Sequence, residues 1–138
     1  MLKHGNYISL SIIFLVSLLL NSGCDKQFTQ EVGFLKGVIS IGPLCPVEKD
    51  PPDPACLPTY ETYKAYPVSI WSSNGRRKIA QLNPALNGSY YLELSPGKYS
   101  VILGTGQNSI GSSNLPAEVV IRSQSETILN INIDTGIR

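Results

Sequence analysis

The order of apolar and polar residues divides the chain into one unbroken apolar run and a series of short alternating segments. The run is Ile8 to Leu20, ISLSIIFLVSLLL, thirteen residues without charge, Gly or Pro. Beyond residue 31 the period becomes two, the spacing of a half-buried strand. In the segment from Val32 to Ile41, Leu35, Ile39 and Ile41 share one face, and Lys36, Val38 and Ser40 share the other. Tyr66 to Ser73 places Val68 and Ile70 together. Asn74-Gly75 then turns the chain into Lys78 to Leu82, because both residues tolerate positive φ. Asn87-Gly88 leads into Ser89 to Leu94, where Tyr90, Leu92 and Leu94 alternate with Tyr91 and Glu93. Ser95-Pro96-Gly97 predicts a type II turn. Lys98 to Leu103 follows, with Tyr99, Val101 and Leu103 inward, then Glu118 to Ile121. Glu126 to Asp134 closes the series, with Leu129, Ile131 and Ile133 inward. Seven short strands with turn residues between them, and no helical period, predict an all-β fold: a seven-stranded antiparallel sandwich of two sheets.

Gly42 to Tyr63 breaks the alternation. Pro43, Pro46, Pro51, Pro52, Pro54 and Pro58 each remove a backbone donor and fix φ, so the stretch reads as a long loop over residues 43–63. A loop of that length is normally functional or tied down. Cys45 and Cys56 are the tie. Eleven residues apart, with no His and no third Cys near them, they lack the ligand set of a closed zinc site and pair as a disulfide. Loop-closure entropy assigns such a bridge roughly 2.5–3 kcal/mol.

The apolar run is too short for a bilayer, which needs about 20 residues, and has the length of an export-signal core. Lys3 and His4 precede it and Leu20-Asn21-Ser22-Gly23-Cys24 follows. Small residues before a Cys resemble the lipobox of bacterial lipoproteins, with Asn21 standing where Leu is usual. The implied organisation is a signal peptide over residues 1–23, a lipidated tether over 24–31 and a sandwich over 32–138. The alternatives are plain secretion with Cys24 as a bystander, or a buried helix. Lipid on Cys24 and a disulfide between the other two account for all three cysteines, and export supplies the oxidising compartment. The expected location is the bacterial cell envelope, on the non-cytoplasmic side of a membrane.

Beyond the signal, ten basic side chains balance ten acidic ones, counting Lys3 among the residues removed. That balance gives no reason to expect nucleic acid or an anionic surface as a partner. The sole His, His4, leaves with the signal, so no Ser-His-Asp or Cys-His pair can form in the mature chain. No phosphate-cradling Gly loop, GxSxG or HExxH is present. The expectation is therefore a non-enzyme with no catalytic residue, no metal and no cofactor. Glu48, Asp50 and Asp53 are the one acidic cluster, but their spacing matches no calcium loop. Tyr60, Tyr63, Tyr66 and Trp71 form a possible recognition patch for an envelope protein or a glycan, set against a structural role at the sandwich edge.

Gly88, Tyr90, Leu94, Pro96, Gly97 and Tyr99 resemble the run Gly-x-aromatic-x-x-x-Leu-x-Pro-Gly-x-Tyr of carboxypeptidase regulatory-like, transthyretin-like modules. The resemblance implies a transthyretin-like or Ig-like sandwich. Gly42-Pro43-Leu44-Cys45-Pro46-Val47, Pro54-Ala55-Cys56 and Asp134-Thr135-Gly136-Ile137-Arg138 resemble a group of small bacterial exported domains, which implies the fold and the disulfide and no activity. Related adhesin sandwiches carry Lys–Asn isopeptide links between first and last strands. Lys36 and Asn132 occupy those strands here, but on outward faces that do not suit the reaction. The functional expectation is a non-enzymatic binding or structural module, with an accessory role beside a separate enzyme, or a carboxylate-based hydrolase, as alternatives. Export with radiolabelled fatty acid should label the chain, and Cys24→Ser should abolish the label. Undiminished labelling of the variant would sink the anchor.

Overall fold

The computed structural model describes residues 31–47, 49–104 and 111–138. The signal segment, Cys24, the tether before Glu31, and Glu48 lie outside them. Nine strands, rather than seven, are present among the described residues: β1 (Gly33–Gly42), β2 (Val68–Ser72), β3 (Lys78–Gln81), β4 (Ser89–Leu94), β5 (Gly97–Leu103), β6 (Gly111–Ser112), β7 (Ala117–Ile121), β8 (Glu126–Ile128) and β9 (Ile131–Asp134). The Pro-rich loop is not structureless. It holds a 3₁₀ turn, Pro54–Cys56, and one short helix, α1 (Tyr60–Ala65).

Two sheets face each other. One runs β4-β1-β9-β6, with β8 also on β1, and the other runs β3-β2-β5-β7. The alternating positions meet between them: Leu35, Ile39, Ile131 and Ile133 from the first sheet, Val68, Ile70, Val101 and Ile121 from the second. Burying them on one side only is what turns a period of two into a sandwich. Gly75 and Gly88 stand at φ 68° and 81°, as the Asn-Gly turns require. Gly97 does not take the positive φ of a type II turn. It opens β5, and the Tyr99 hydroxyl donates to the Ser95 carbonyl at 2.7 Å to close the bend instead.

The sandwich is not purely antiparallel. The predicted strand from Glu126 to Asp134 splits in two, and both halves run parallel to β1: Lys36 opposes Ile128, and Ser40 opposes Asn132. The break at Leu129-Asn130 has a visible cause. The Leu129 carbonyl turns in toward the core beside Gly37, where a Cβ would lie 2.0 Å from its oxygen. The Tyr90 hydroxyl, reaching across from the strand position opposite Gly37, donates to that carbonyl at 2.5 Å. The Leu129 N–H donates to the Lys36 carbonyl, and Asn130 Oδ1 accepts from the Val38 N–H at 3.1 Å. At the step the Leu129 N–H, the Leu129 carbonyl and the Val38 N–H thus all keep partners. It also separates Lys36 from Asn132 by four register positions, and the Lys36 ammonium pairs with Glu126 instead.

Gly37→Ala should destabilise by on the order of 1–3 kcal/mol, since its methyl meets backbone rather than a movable side chain. Denaturant midpoints measure this. Burial pushes the Tyr90 hydroxyl from 10.0 up to about 12. The unfolded state therefore ionises first as pH rises, and stability present below pH 10 is lost across that interval. Tyr90→Phe should be less stable at neutral pH, by about 1–3 kcal/mol for the orphaned carbonyl. It should also lose less with alkali than wild type, and a parallel loss in both proteins would refute the assignment.

Candidate functional site

The Pro-rich segment is organised by local capping. Cys45 and Cys56 are bonded, with Cα atoms 5.5 Å apart. Asp53 caps the 3₁₀ turn, its Oδ1 accepting from the Ala55 N–H at 3.0 Å. Thr59 and Thr62 form a reciprocal capping box that starts α1: the Thr62 N–H donates to Thr59 Oγ1 at 3.2 Å and the Thr59 N–H to Thr62 Oγ1 at 3.0 Å. Two of the expected acids can be placed. Asp53 is engaged as a cap and lies 3.9 Å from Lys49, and Asp50 is exposed. No three His, Cys, Asp or Glu side chains converge among the described residues.

The four aromatics do not assemble into one patch. Tyr63 is buried, its hydroxyl donating to the Leu86 carbonyl at 3.3 Å, and burial raises its pKa. Tyr66 packs against the core. Trp71 lies on β2 next to the inward Ile70, hence on the outer face of the second sheet, opposite Ser100 and Lys78. Only Tyr60 is well exposed. Tyr60 and Tyr63, three residues apart on α1, line one hollow beside Leu82 and Pro84, while a strand carries Trp71 to another surface.

An aromatic surface exists elsewhere. On the outer face of the first sheet, Phe34 and Tyr91 stack with ring centroids 5.3 Å apart and planes 26° from parallel. Tyr91 is 60% exposed, Ile128 66% and Val38 41%. Lys36 stands between Tyr91 on one neighbouring strand and Ile128 on the other, paired with Glu126. A shallow hollow of about 460 Å³ runs beside Val38, Tyr91 and Ile128. The sequence carried the signal: β1 and β4 place apolar residues on both faces, where a solvated face would be wholly polar.

The C-terminal motif is a clamp. Thr135 is buried, its hydroxyl donates to the Pro43 carbonyl, and its N–H donates to the Gly42 carbonyl at 3.2 Å. Asp134 accepts from both Arg138 Nη atoms, at 3.1 and 2.8 Å, and from the Gly136 N–H at 2.9 Å. The Arg138 hydrogen bonds foremost, then the Gly136 N–H, hold the Asp134 carboxyl below its ordinary pKa. Two motifs far apart in sequence thus meet at one place, where they fix the root of the disulfide loop.

No protein-family model matches the chain, and no curated protein matches it. Solved structures do. The chain is similar to the minor pilin of Streptococcus agalactiae at 16% identity, over 77% of this chain and 45% of that one, with a TM-score of 0.50. It is similar to the TIE protein of Bacillus anthracis at 16% identity, over 76% and 17% of the two chains, with a TM-score of 0.45. A DUF3823 family protein from Parabacteroides merdae gives 15% identity, 76% and 47% coverage, and a TM-score of 0.43. The chain spans less than half the length of each. At 16% identity and a TM-score of 0.50, the likeness to the pilin shows the fold alone, an all-β sandwich.

Thr135→Val should cost about 1–3 kcal/mol, because the Pro43 carbonyl loses its donor. Asp134 acts in the acid range. Its stabilisation is present above pH 3.8 and is lost as pH falls through the lowered folded value. Arg138→Gln should therefore flatten the acid limb of the stability–pH curve, and an unaltered limb would argue against the clamp.

Proposed function

We propose that this chain is an exported, lipid-anchored β-sandwich that serves as a non-enzymatic binding module of the bacterial cell envelope. The observation that carries the reading is the outer face of the first sheet. A solvated sheet face is normally polar. This one presents the Phe34–Tyr91 stack, Val38 and Ile128 around one ion pair. Aromatic and aliphatic surface with one ion pair in its midst suits a protein partner, with aromatic side chains as the anchors.

Three further points support it. The apolar run and Cys24 fit an export signal with a lipid-attachment cysteine. No helix among the described residues is long and apolar enough to cross a membrane, and the attachment proposed is the lipid on Cys24. The mature chain has no imidazole, and its disulfide-loop carboxylates Asp50 and Asp53 do not converge with a third ligand among the described residues. Within sandwich folds, we place the chain near the carboxypeptidase regulatory-like modules. Three motif positions have distinct structural roles: Gly88 turns the chain, Tyr90 holds the Leu129 carbonyl and Tyr99 closes the Ser95 bend.

The test is co-purification from envelope extracts with the double variant Tyr91→Ser/Ile128→Ser beside wild type. Both side chains are exposed, so the fold should survive with melting lowered only by the loss of the Phe34–Tyr91 stack. Capture of the wild type's protein partners should fall tenfold or more, as about 2 kcal/mol of lost apolar contact requires. Equal capture by both proteins would overturn the reading, and retention on glycan arrays lost only in the variant would replace the protein partner by a sugar.

A further inference from the structure

Nine Lys and Arg side chains lie among the described residues. Four are paired with carboxylates: Lys36, Lys49, Lys64 and Arg138. The other five, Arg76, Arg77, Lys78, Lys98 and Arg122, have no carboxylate within salt-bridge distance among the described residues. All five are exposed.

The strand register gathers these five at one end of the second sheet. Arg76 and Arg77 sit at the tip of the β2–β3 hairpin, and Lys78 begins β3 opposite Trp71. Ser72 pairs with Tyr99, so that tip projects past the start of β5, where Lys98 lies. Gly97 pairs with Ile121, which brings the end of β7, and Arg122 after it, to the same edge. One carboxylate, Glu118, faces out from this sheet, a ladder step further in and opposite Ser100. Trp71 and the exposed Val120 share the outer face with Lys98. Like charges left together without partners repel one another, so the arrangement costs stability unless something anionic faces it.

The same end receives the tether. The Gln124 N–H donates to the Val32 carbonyl at 2.6 Å, and Gly33 lies against the Arg122 carbonyl. Chain entering β1 therefore arrives beside Arg122. Cys24 is seven residues before Glu31, so the covalent reach from lipid to domain is at most about 25 Å.

We infer that this basic end of the second sheet docks on anionic phospholipid, so that the anchored module lies against the membrane rather than swinging free of it. The geometry takes the lipid on Cys24 from the proposed function. The charge cluster stands without it. Basic side chains near an anionic surface supply attraction that one anchor alone does not, and Trp71 has the amphipathic ring that sits at headgroup depth.

The test uses the mature protein purified from membranes, mixed with equal amounts of neutral phosphatidylcholine vesicles and sucrose-loaded vesicles containing 3:7 phosphatidylglycerol:phosphatidylcholine (roughly the anionic surface density at which such attraction operates). Sedimentation reads its distribution. Any lipid anchor contributes equally to both populations, so the ratio isolates the charge term. Wild type should favour the anionic vesicles by about 100-fold or more at low salt, and less at high salt. Arg76→Gln/Arg77→Gln/Lys78→Gln should reduce that ratio by about 100-fold, at about 1 kcal/mol per basic side chain, with melting in solution no lower than that of wild type. Trp71, the single Trp, should be quenched by shallow spin-labelled lipid in anionic vesicles and not in the triple variant. An even distribution of wild type, or a triple variant that distributes like wild type, would overturn the inference. Absence from neutral vesicles together with retained, variant-sensitive anionic binding would uphold the basic end and remove the anchor.

Discussion

One carbonyl governs how this sandwich closes. At Leu129 the last stretch of chain steps inward, and its oxygen occupies the space a side chain at position 37 would need. Only glycine leaves that space open, and only a donor reaching from the opposite strand lets a backbone carbonyl stay there at tolerable cost. Tyr90 is that donor. The step lets one chain segment pair with β1 twice in the same parallel direction and register, first as β8 and then, past the inward carbonyl, as β9. Pairing on both sides of β1 then fixes which residues of the first sheet face Val68, Ile70 and Val101.

The two ends of β1 carry different duties. At its start, chain arrives beside Arg122 and the cation-rich rim of the second sheet. At its finish, Gly42 and Pro43 are held by Thr135, and the disulfide loop springs from that fixed root. The bridge between Cys45 and Cys56 closes the loop on itself, while the bonds from Thr135 to Gly42 and Pro43 orient it on the sandwich. Neither constraint replaces the other.

The sequence made the inner face legible because period two is strong where one side is dry. Leu35, Ile39, Tyr90, Val101, Ile131 and Ile133 all lie where alternation places them. What it did not disclose depends on neighbours distant along the chain. The split of the last strand follows from a glycine 92 residues earlier (129 − 37), which no local window contains. The direction of that strand relative to β1 has no local signature either. The helix α1 spans too few residues to show a helical period, and Thr59 and Thr62, which form its capping box, were the available cue. The aromatic surface of the first sheet was not legible because its members are near in space and distant in sequence. Phe34 and Tyr91 meet only because β1 and β4 pair, while Tyr60 and Tyr63 share one hollow and Trp71, close to them in sequence, lies on another surface.

The parallel pairing of β1 with β9 has a mechanical consequence. Tension applied between the start of β1 and the finish of β9 would draw the two strands along each other. The hydrogen bonds from Ile39–Ile131 to Gly42–Asp134 would then bear the load together, in shear, instead of opening one after another like a zip. Thr135, bonded to Gly42 and Pro43 just past the last of those pairs, adds a catch at the point where sliding would end. A module held in this way transmits force along its long axis while its core stays closed.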